Sequence, residues 1–160
     1  MKKLPMTVSD QGQRAVMDTV RSILEIKGYD VCSIDPGATV FDAIAEMARR
    51  EVGALMVISN RRLVGIISER DYARKVILRG KSSKEIAVEE VMTRSPVTVT
   101  PEHTVDECMR IVTEMRIRHL PVVAEDEVKG MVSIGDLVKA IIASQAYTID
   151  QLHVYIAAGG

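Results

Sequence analysis

The feature of this sequence that most restricts its fold is an internal repeat. When the chain is shifted by 65 residues, Gly65 falls on Gly130 and Asp71 on Asp136, and no gap is needed over residues 35–77. Identity at one fixed offset indicates a duplicated supersecondary unit. Further identical pairs at this offset are Pro36/Pro101, Thr39/Thr104, Val40/Val105, Leu55/Leu120, Val57/Val122 and Ser68/Ser133.

Each copy carries the same succession of strand and helix patterns. After a short strand, Thr39 or Thr104 is placed to cap a helix. Two apolar runs joined by a polar turn then predict a β-hairpin, "ALMVI" to "LVGIIS" in one copy and "LPVVA" to "VKGMVS" in the other. A second helix follows, and Gly80 is the expected stop of the first of these. The sequence therefore predicts an α/β chain of the α+β type, built from two β-α-β-β-α units.

The repeat also sets the expected domain organisation. The predicted parts are an N-terminal segment (1–18), a first domain (19–80), a linker (81–87), a second domain (88–146) and a C-terminal tail (147–160). An amphipathic helix over Gln13–Lys27 leads into the first domain, and the tail is expected to pack as a helical extension. The predicted buried faces of the two first helices consist of Val40, Ile44, Met47 and Ala48, and of Val105, Met109, Val112 and Ile117.

The composition excludes several classes of protein. A hydrophobic content of 47% and a net charge of −1 are typical of a globular protein without a basic nucleic-acid footprint. The apolar stretches fall short of the ~20 residues that span a bilayer, and the first residues lack the apolar core of a signal peptide. Cys32 and Cys108 have no CxxC partner, which favours small buried thiols over a disulfide. We therefore expect a cytoplasmic protein that binds neither nucleic acid nor membrane.

Several segments resemble the cystathionine-β-synthase (CBS) domain family. "GIISERD" (65–71) and "GMVSIGD" (130–136) are similar to the Gly-x-x-Ser/Thr-x-x-Asp signature of these domains. "VEEVMTRSPVTVTPEHTV" (88–105) and "RIRHLPVV" (116–123) are similar to the start and the central strand of a second CBS domain. The resemblance, which covers residues 19–145, implies a tandem pair with pseudo-twofold symmetry and clefts that often hold AMP, NAD or related adenosyl ligands. It also implies frequent homodimers and a stand-alone bacterial type.

The two Ser-x-x-Asp pairs are the candidate ribose and phosphate ligands. A carboxylate accepts hydrogen bonds from two neighbouring hydroxyls, so Asp71 and Asp136 suit a ribose diol, and Ser68 and Ser133 suit the ribose or first phosphate. Each pair lies where a strand passes into a helix, where free first-turn amides favour an anion. The alternative is a capping box, in which serine and aspartate only start the helix. The two roles are compatible.

Cationic side chains near these pairs are candidate phosphate ligands. By analogy with the family, Arg70, Arg118 and His119 line a central cleft, and Arg94 is a weaker candidate. Guanidinium and imidazole groups supply donors to phosphate oxygens. The alternative is that all four are solvated surface charges.

A further set of small or apolar residues is expected to surround the adenine. Small residues let a flat base approach the backbone, and apolar strand residues form its walls. The alternative for the apolar residues is ordinary core packing. The set consists of Val31, Cys32, Gly53, Ala54, Pro96 and Val97.

No pattern in the sequence supports catalysis or a catalytic cofactor. The three histidines have no metal-ligand spacing, and neither a Walker motif nor a GxGxxG is present. The main hypothesis is a regulatory homodimer that binds AMP and/or NAD(H) and acts on an unknown downstream protein. Dimerisation is expected through helices at 72–78 and 137–143. The alternative is a structural dimerisation scaffold, and an enzyme would need an unrecognised site.

Overall fold

The computed structural model describes residues 18–159, so most of the predicted N-terminal segment, including residues 13–17 of its helix, lies outside the described part. The described chain is a mixed α+β fold, as expected. Its helices are α1 (Val20–Lys27), α2 (Val40–Arg50), α3 (Glu69–Tyr72), α4 (Val88–Val91), α5 (Val105–Met115) and α6 (Ile134–Gly159). Its strands are β1 (Ser33–Ile34), β2 (Ala54–Ser59), β3 (Arg62–Ser68), β4 (Thr93–Arg94), β5 (His119–Ala124) and β6 (Glu127–Ser133).

The first copy forms a four-stranded sheet in the order β1-β2-β3-β4. β1 runs parallel to β2, and β2 and β3 form the predicted antiparallel hairpin with Ala54 opposite Ser68. At the hairpin tip Asn60 and Arg61 have φ values of 50° and 65°. Positive φ at both central residues is the type I′ turn that matches the twist of a hairpin, here formed without an Asn-Gly pair.

The second copy forms the hairpin β5-β6, with positive φ at both tip residues. The strand expected before α5 is reduced to a single parallel bridge between Val99 and Val122. In the first copy the amide of Met56 donates to the carbonyl of Cys32 at 3.0 Å. The residue equivalent to Met56 is Pro121, which has no N–H to extend the second ladder.

Threonine caps begin both long helices of the repeats, as predicted. The Oγ1 of Thr39 accepts from the Asp42 amide at 3.1 Å, and that of Thr104 accepts from the Glu107 amide at 3.1 Å. The buried faces differ in detail from the expectation, because Ala43 and Cys108 are fully buried whereas Ala48 is exposed. At 100° per residue, position 48 lies well outside the stripe that positions 40, 43 and 47 define.

The described chain divides into two compact units. One contains residues 18–28, 100–118 and 132–159, and the other contains residues 29–99 and 119–131. Buried hydrophobic side chains of the first unit are Val20, Ile23, Leu24, Val105, Cys108, Val112, Val132, Leu137 and Ala140. The main core of the second consists of Val40, Ala43, Met47, Leu55, Val57, Ile67, Val76, Ile86, Val88, Val91 and Met92.

The last helices of the two copies differ. α3 passes into a π-helical turn, Ala73–Ile77, and the segment stops at Gly80, whose φ of +67° confirms the predicted C-terminal glycine. α6 instead continues for 26 residues, which confirms the helical extension. The expected packing of this tail is not found within the described single chain, where the side chains of residues 151–158 are all exposed. Within residues 18–159, no helix has both the length and the apolar character required to cross a membrane.

Candidate functional site

Ser68 and Asp71 form a reciprocal capping box where β3 passes into α3. The Asp71 Oδ2 accepts hydrogen bonds from the Ser68 amide at 2.9 Å and from its hydroxyl at 3.0 Å. The Asp71 amide donates to the Ser68 Oγ at 3.2 Å. The capping alternative is thus confirmed for this pair, and a ligand role stays a prediction. A carboxylate has about four lone-pair sites, so these bonds leave Asp71 able to accept more.

Lys75 completes the surroundings of Asp71. Its Nζ lies 3.1 Å from the Asp71 Oδ1 and donates to the Val91 carbonyl at 2.9 Å. The Asp71 side chain is only 14% exposed, so the carboxylate is held from both sides in a largely buried position. The i,i+4 spacing of Asp71 and Lys75 is the sequence signal that could have indicated this pair.

Gly53 and His119 lie beside this capping box. The Glu69 amide donates to the Gly53 carbonyl at 3.1 Å, so this first-turn amide is already satisfied. A Cβ added to Gly53 would lie 3.5 Å from the His119 ring, so the half-buried imidazole covers the glycine. A phosphate here would therefore depend more on cationic side chains than on free amides. The structure brings together Ser68, Asp71, Gly53 and His119, which the sequence had proposed separately.

The predicted adenine walls are partly core residues. Ala54 is fully buried in a small cluster with Met56 and Met131, which is the packing alternative. Val31 and Cys32 are half-buried, and the Cys32 carbonyl bonds to β2, close to its start. Their adenine-binding role stays a prediction.

The remaining predicted residues of this unit follow β4 or lie on the surface. Pro96 and Val97 are half-buried just beyond β4, after Ser95, whose φ of 48° ends the strand. Arg94 is exposed and donates to the Glu89 carbonyl at 3.2 Å. Arg70 is also exposed, on α3 between the two capping residues.

The second copy repeats the capping geometry in the other unit. The Asp136 Oδ2 accepts from the Ser133 amide at 2.8 Å, and the Asp136 amide donates to the Ser133 Oγ at 3.2 Å. The Ile134 amide donates to the carbonyl of the exposed Arg118 at 2.9 Å, the counterpart of the Glu69–Gly53 bond. Both Ser-x-x-Asp motifs therefore fold alike, including the bond from the amide that follows the serine to the carbonyl just before the preceding strand, β2 or β5.

The partner of Asp136 is a residue that the sequence did not suggest. Lys27, at the end of α1, places its Nζ 2.7 Å from the Asp136 Oδ2. Burial raises the pKa of Asp136, but the Lys27 and Ser133 hydrogen bonds lower it by more, so the net shift is downward. The two residues are 109 positions apart, and no local pattern links them.

One cleft contains none of the predicted residues. It has a volume of about 320 Å³ and lies in the first unit, at the start of α5. Two carboxylates in its lining, Asp18 and Asp106, make it unsuitable for a phosphate. Its other lining residues are Thr104, Val105, Ala140, Ile141, Ser144 and Gln145.

Comparison with known proteins decides the family. The CBS domain model matches the chain twice, at residues 20–77 and 88–143. The chain belongs to the CBS-domain family. It is similar to the CBS domain-containing protein CBSX3, mitochondrial, of Arabidopsis thaliana, with 40% identity over 88% of this chain and 73% of that protein. It is also similar to a protein with CBS domains from Burkholderia ambifaria, with 45% identity, a TM-score of 0.76 and coverage of 79% and 96%.

Two more distant CBS structures show what such proteins hold or form. The CBS domain protein PAE2072 from Pyrobaculum aerophilum is complexed with AMP, at 22% identity, a TM-score of 0.70 and coverage of 80% and 98%. A CBS-CP12 protein from bloom-forming cyanobacteria is hexameric, at 29% identity, a TM-score of 0.68 and coverage of 75% and 66%. The dimeric state of the present chain stays a prediction, since the CBS-CP12 protein is a hexamer. Its cytoplasmic location also stays a prediction, since CBSX3 is named mitochondrial.

Proposed function

We propose that this CBS protein is a non-catalytic regulatory module that binds an adenine nucleotide at Asp71 and Asp136. The observation that carries the proposal is the duplicated geometry of the Ser-x-x-Asp motifs. In both copies a largely buried carboxylate is held at a strand–helix junction by the preceding serine. AMP is the favoured ligand, because a family member of the same fold is complexed with AMP.

The chemistry of the site suits a nucleoside more than an isolated phosphate. Each aspartate retains acceptor capacity for a ribose hydroxyl beyond its bonds to serine and lysine. The Glu69 and Asp71 amides are engaged by the Gly53 carbonyl and the Ser68 Oγ. A phosphate would thus be held by side chains such as Arg70 and His119, and NAD(H) is the second ligand to test. Regulation requires that the ligand favour one arrangement of the chain, with a coupling free energy of ~1–3 kcal/mol.

Calorimetric titration with AMP tests the proposal. Asp71→Ala and Asp136→Ala, singly and together, are expected to weaken AMP binding, and the double variant is expected to abolish it. The matched control is Glu107→Ala, which removes the same kind of capping carboxylate from the Thr104 box. The control should lose a similar ~1 kcal/mol of helix-capping stability and keep its AMP affinity. Equal loss of affinity in the control and the aspartate variants would refute the assignment.

The alternative function is a structural dimerisation scaffold. It is favoured by one observation, that both carboxylates already have serine and lysine partners. Exposed apolar side chains on the predicted dimer helices, such as Ile77 at 54% and Ile142 at 59%, are consistent with either function. If protein freed of carried-over nucleotide bound neither AMP nor NAD(H) yet formed dimers, the scaffold would be the better description.

A further inference from the structure

The last part of α6 lies beyond both matched CBS repeats. The second match ends at residue 143, whereas α6 continues to Gly159. At a rise of 1.5 Å per residue this extension is about 24 Å long. An isolated helix of this length is marginal in water unless one of its faces is packed. The extension therefore calls for a partner that covers its apolar side chains.

The apolar side chains of this helix follow a heptad. Ile142, Ile149 and Ile156 are spaced by seven residues, and Val138 and Leu152 lie at the intervening d positions with Gln145 between them. All five apolar side chains are exposed, by 59%, 54% and 69% for the isoleucines and by 43% and 55% for Val138 and Leu152. We call these six residues the seam. β-branched residues at a with leucine at d favour a parallel two-stranded coiled coil, and this helix has isoleucine at all three a positions and leucine at one d position, Leu152.

The charges of the helix permit such a pairing with an identical copy. From Ala140 to Ala158, Asp150 is the only acidic or basic residue besides His153. In the heptad Asp150 lies at position b, away from the seam, whereas Lys139 and His153 lie at e and the g positions Ile134, Ile141, Thr148 and Tyr155 carry no charge. Because e faces g of the other helix in a parallel pair, two identical helices would meet without like charges opposite each other.

We propose that the seam pairs with the seam of a second copy of this chain, in a parallel and in-register coiled coil. The seam spans Val138 to Ile156, nearly the ~3 heptads that a coiled coil requires. Gln145 meets its own counterpart in this arrangement, so the one polar side chain of the seam has an amide partner with which it can exchange hydrogen bonds. The inference is separate from nucleotide binding, because none of the six residues belongs to the Ser-x-x-Asp sites.

Sedimentation velocity on the full chain tests the pairing. Ile149→Glu combined with Leu152→Glu places two charges in the seam and is expected to weaken self-association by about 100-fold or more. The matched control is Val154→Glu, an apolar-to-acid change on the same helix at a 64% exposed position off the seam. It should leave the sedimentation coefficient unchanged. Far-ultraviolet circular dichroism and a thermal melt of all variants report whether each still folds.

Disulfide trapping tests whether the two seams pair in parallel and in register. In a Cys32→Ser background, Gln145→Cys is expected to form an intermolecular disulfide under mild oxidation, and Gln151→Cys, an exposed position off the seam, is not. A wild-type chain that stays monomeric at ~100 μM, well above the micromolar dissociation constants of weak specific pairs, would overturn the proposal. So would a dimer that persists in the double glutamate variant and gives no Gln145→Cys crosslink. Trapping through Gln151→Cys instead would exclude the in-register arrangement.

Discussion

Lys27 and Asp136 form an ion pair across 109 positions of the chain, with the Lys27 Nζ 2.7 Å from the Asp136 Oδ2. The equivalent aspartate, Asp71, has its lysine four residues away on its own helix. One aspartate thus has its counter-ion on the same helix, and the other takes it from α1, the first helix of the described chain. This difference breaks the equivalence of two otherwise matching sites and gives the second one a link to α1.

Replacing Lys27 by methionine is expected to alter the acid stability of the protein. Because the folded-state pKa of Asp136 is lowered, the stabilisation is present above the unfolded-state pKa of about 3.9 and is lost as the pH falls below it. Lys27 is 42% exposed, so solvent screening limits the pair to ~0.2–1 kcal/mol. Thermal melts from pH 2 to 7 should show Lys27→Met less stable than wild type at pH 7 and the two converging near pH 2. A constant difference across this range would contradict the pairing.

Gly65→Ala is expected to destabilise the four-stranded sheet. A Cβ at this position would lie 2.6 Å from the Met92 Sδ and 2.8 Å from the Thr93 carbonyl oxygen. Backbone cannot move aside as a flexible side chain can. We therefore expect the free energy of unfolding, measured in urea, to fall by ~1–3 kcal/mol. The control is Gly135→Ala, where the new Cβ meets only the Ser133 Oγ at 3.6 Å and a helical alanine is favoured. It should be neutral or slightly stabilising, and equal losses in both variants would refute the steric argument.

The part of the fold that sequence predicts well is the part governed by local signals. The caps at Thr39 and Thr104, the two hairpins and the glycine stop at Gly80 each depend on a few neighbouring residues, and all are found. The bridge at Val99 departs from the repeat for a reason that is also local. Pro121 has no backbone N–H to donate, and the loss of this one hydrogen bond shortens the strand.

The site is less accessible to sequence analysis because its composition depends on tertiary contacts. Ser68 and Asp71 meet through a capping box that their spacing predicts. The His119 ring over Gly53, by contrast, joins residues from different repeats that no periodicity connects. The exposure of the α6 tail was likewise not predictable from the sequence. An apolar pattern indicates that one face of a helix is packed, but it does not identify the element or chain that packs against it.

Glu46 is expected to titrate well below an ordinary glutamate. Hydrogen bonds from Arg49 and then Arg50 lower its pKa from 4.5 to about 2, with the Arg50 Nε 2.6 Å from its Oε1. Replacing both arginines by alanine should return the pKa toward 4.5, as followed by the side-chain carboxyl carbon in an NMR titration. Arg74→Ala, an exposed arginine on the π-helical turn rather than on α2, is the control. An unchanged Glu46 pKa in the double variant would show that the arginines are solvated instead.

The two cysteines are expected to differ sharply in reactivity. Both are free; Cys108 is fully buried on α5, and burial together with the nearby Glu107 charge raises its pKa to about 11. Because the thiolate is the reactive form, Cys108 should be inert at pH 8 in the folded protein, whereas the half-buried Cys32 should react. A thiol-exchange reagent should therefore modify one group per chain, two after denaturation, and none in folded Cys32→Ser. Rapid modification of both thiols in the native protein would mean that α5 opens readily, and its amides would then exchange quickly as well.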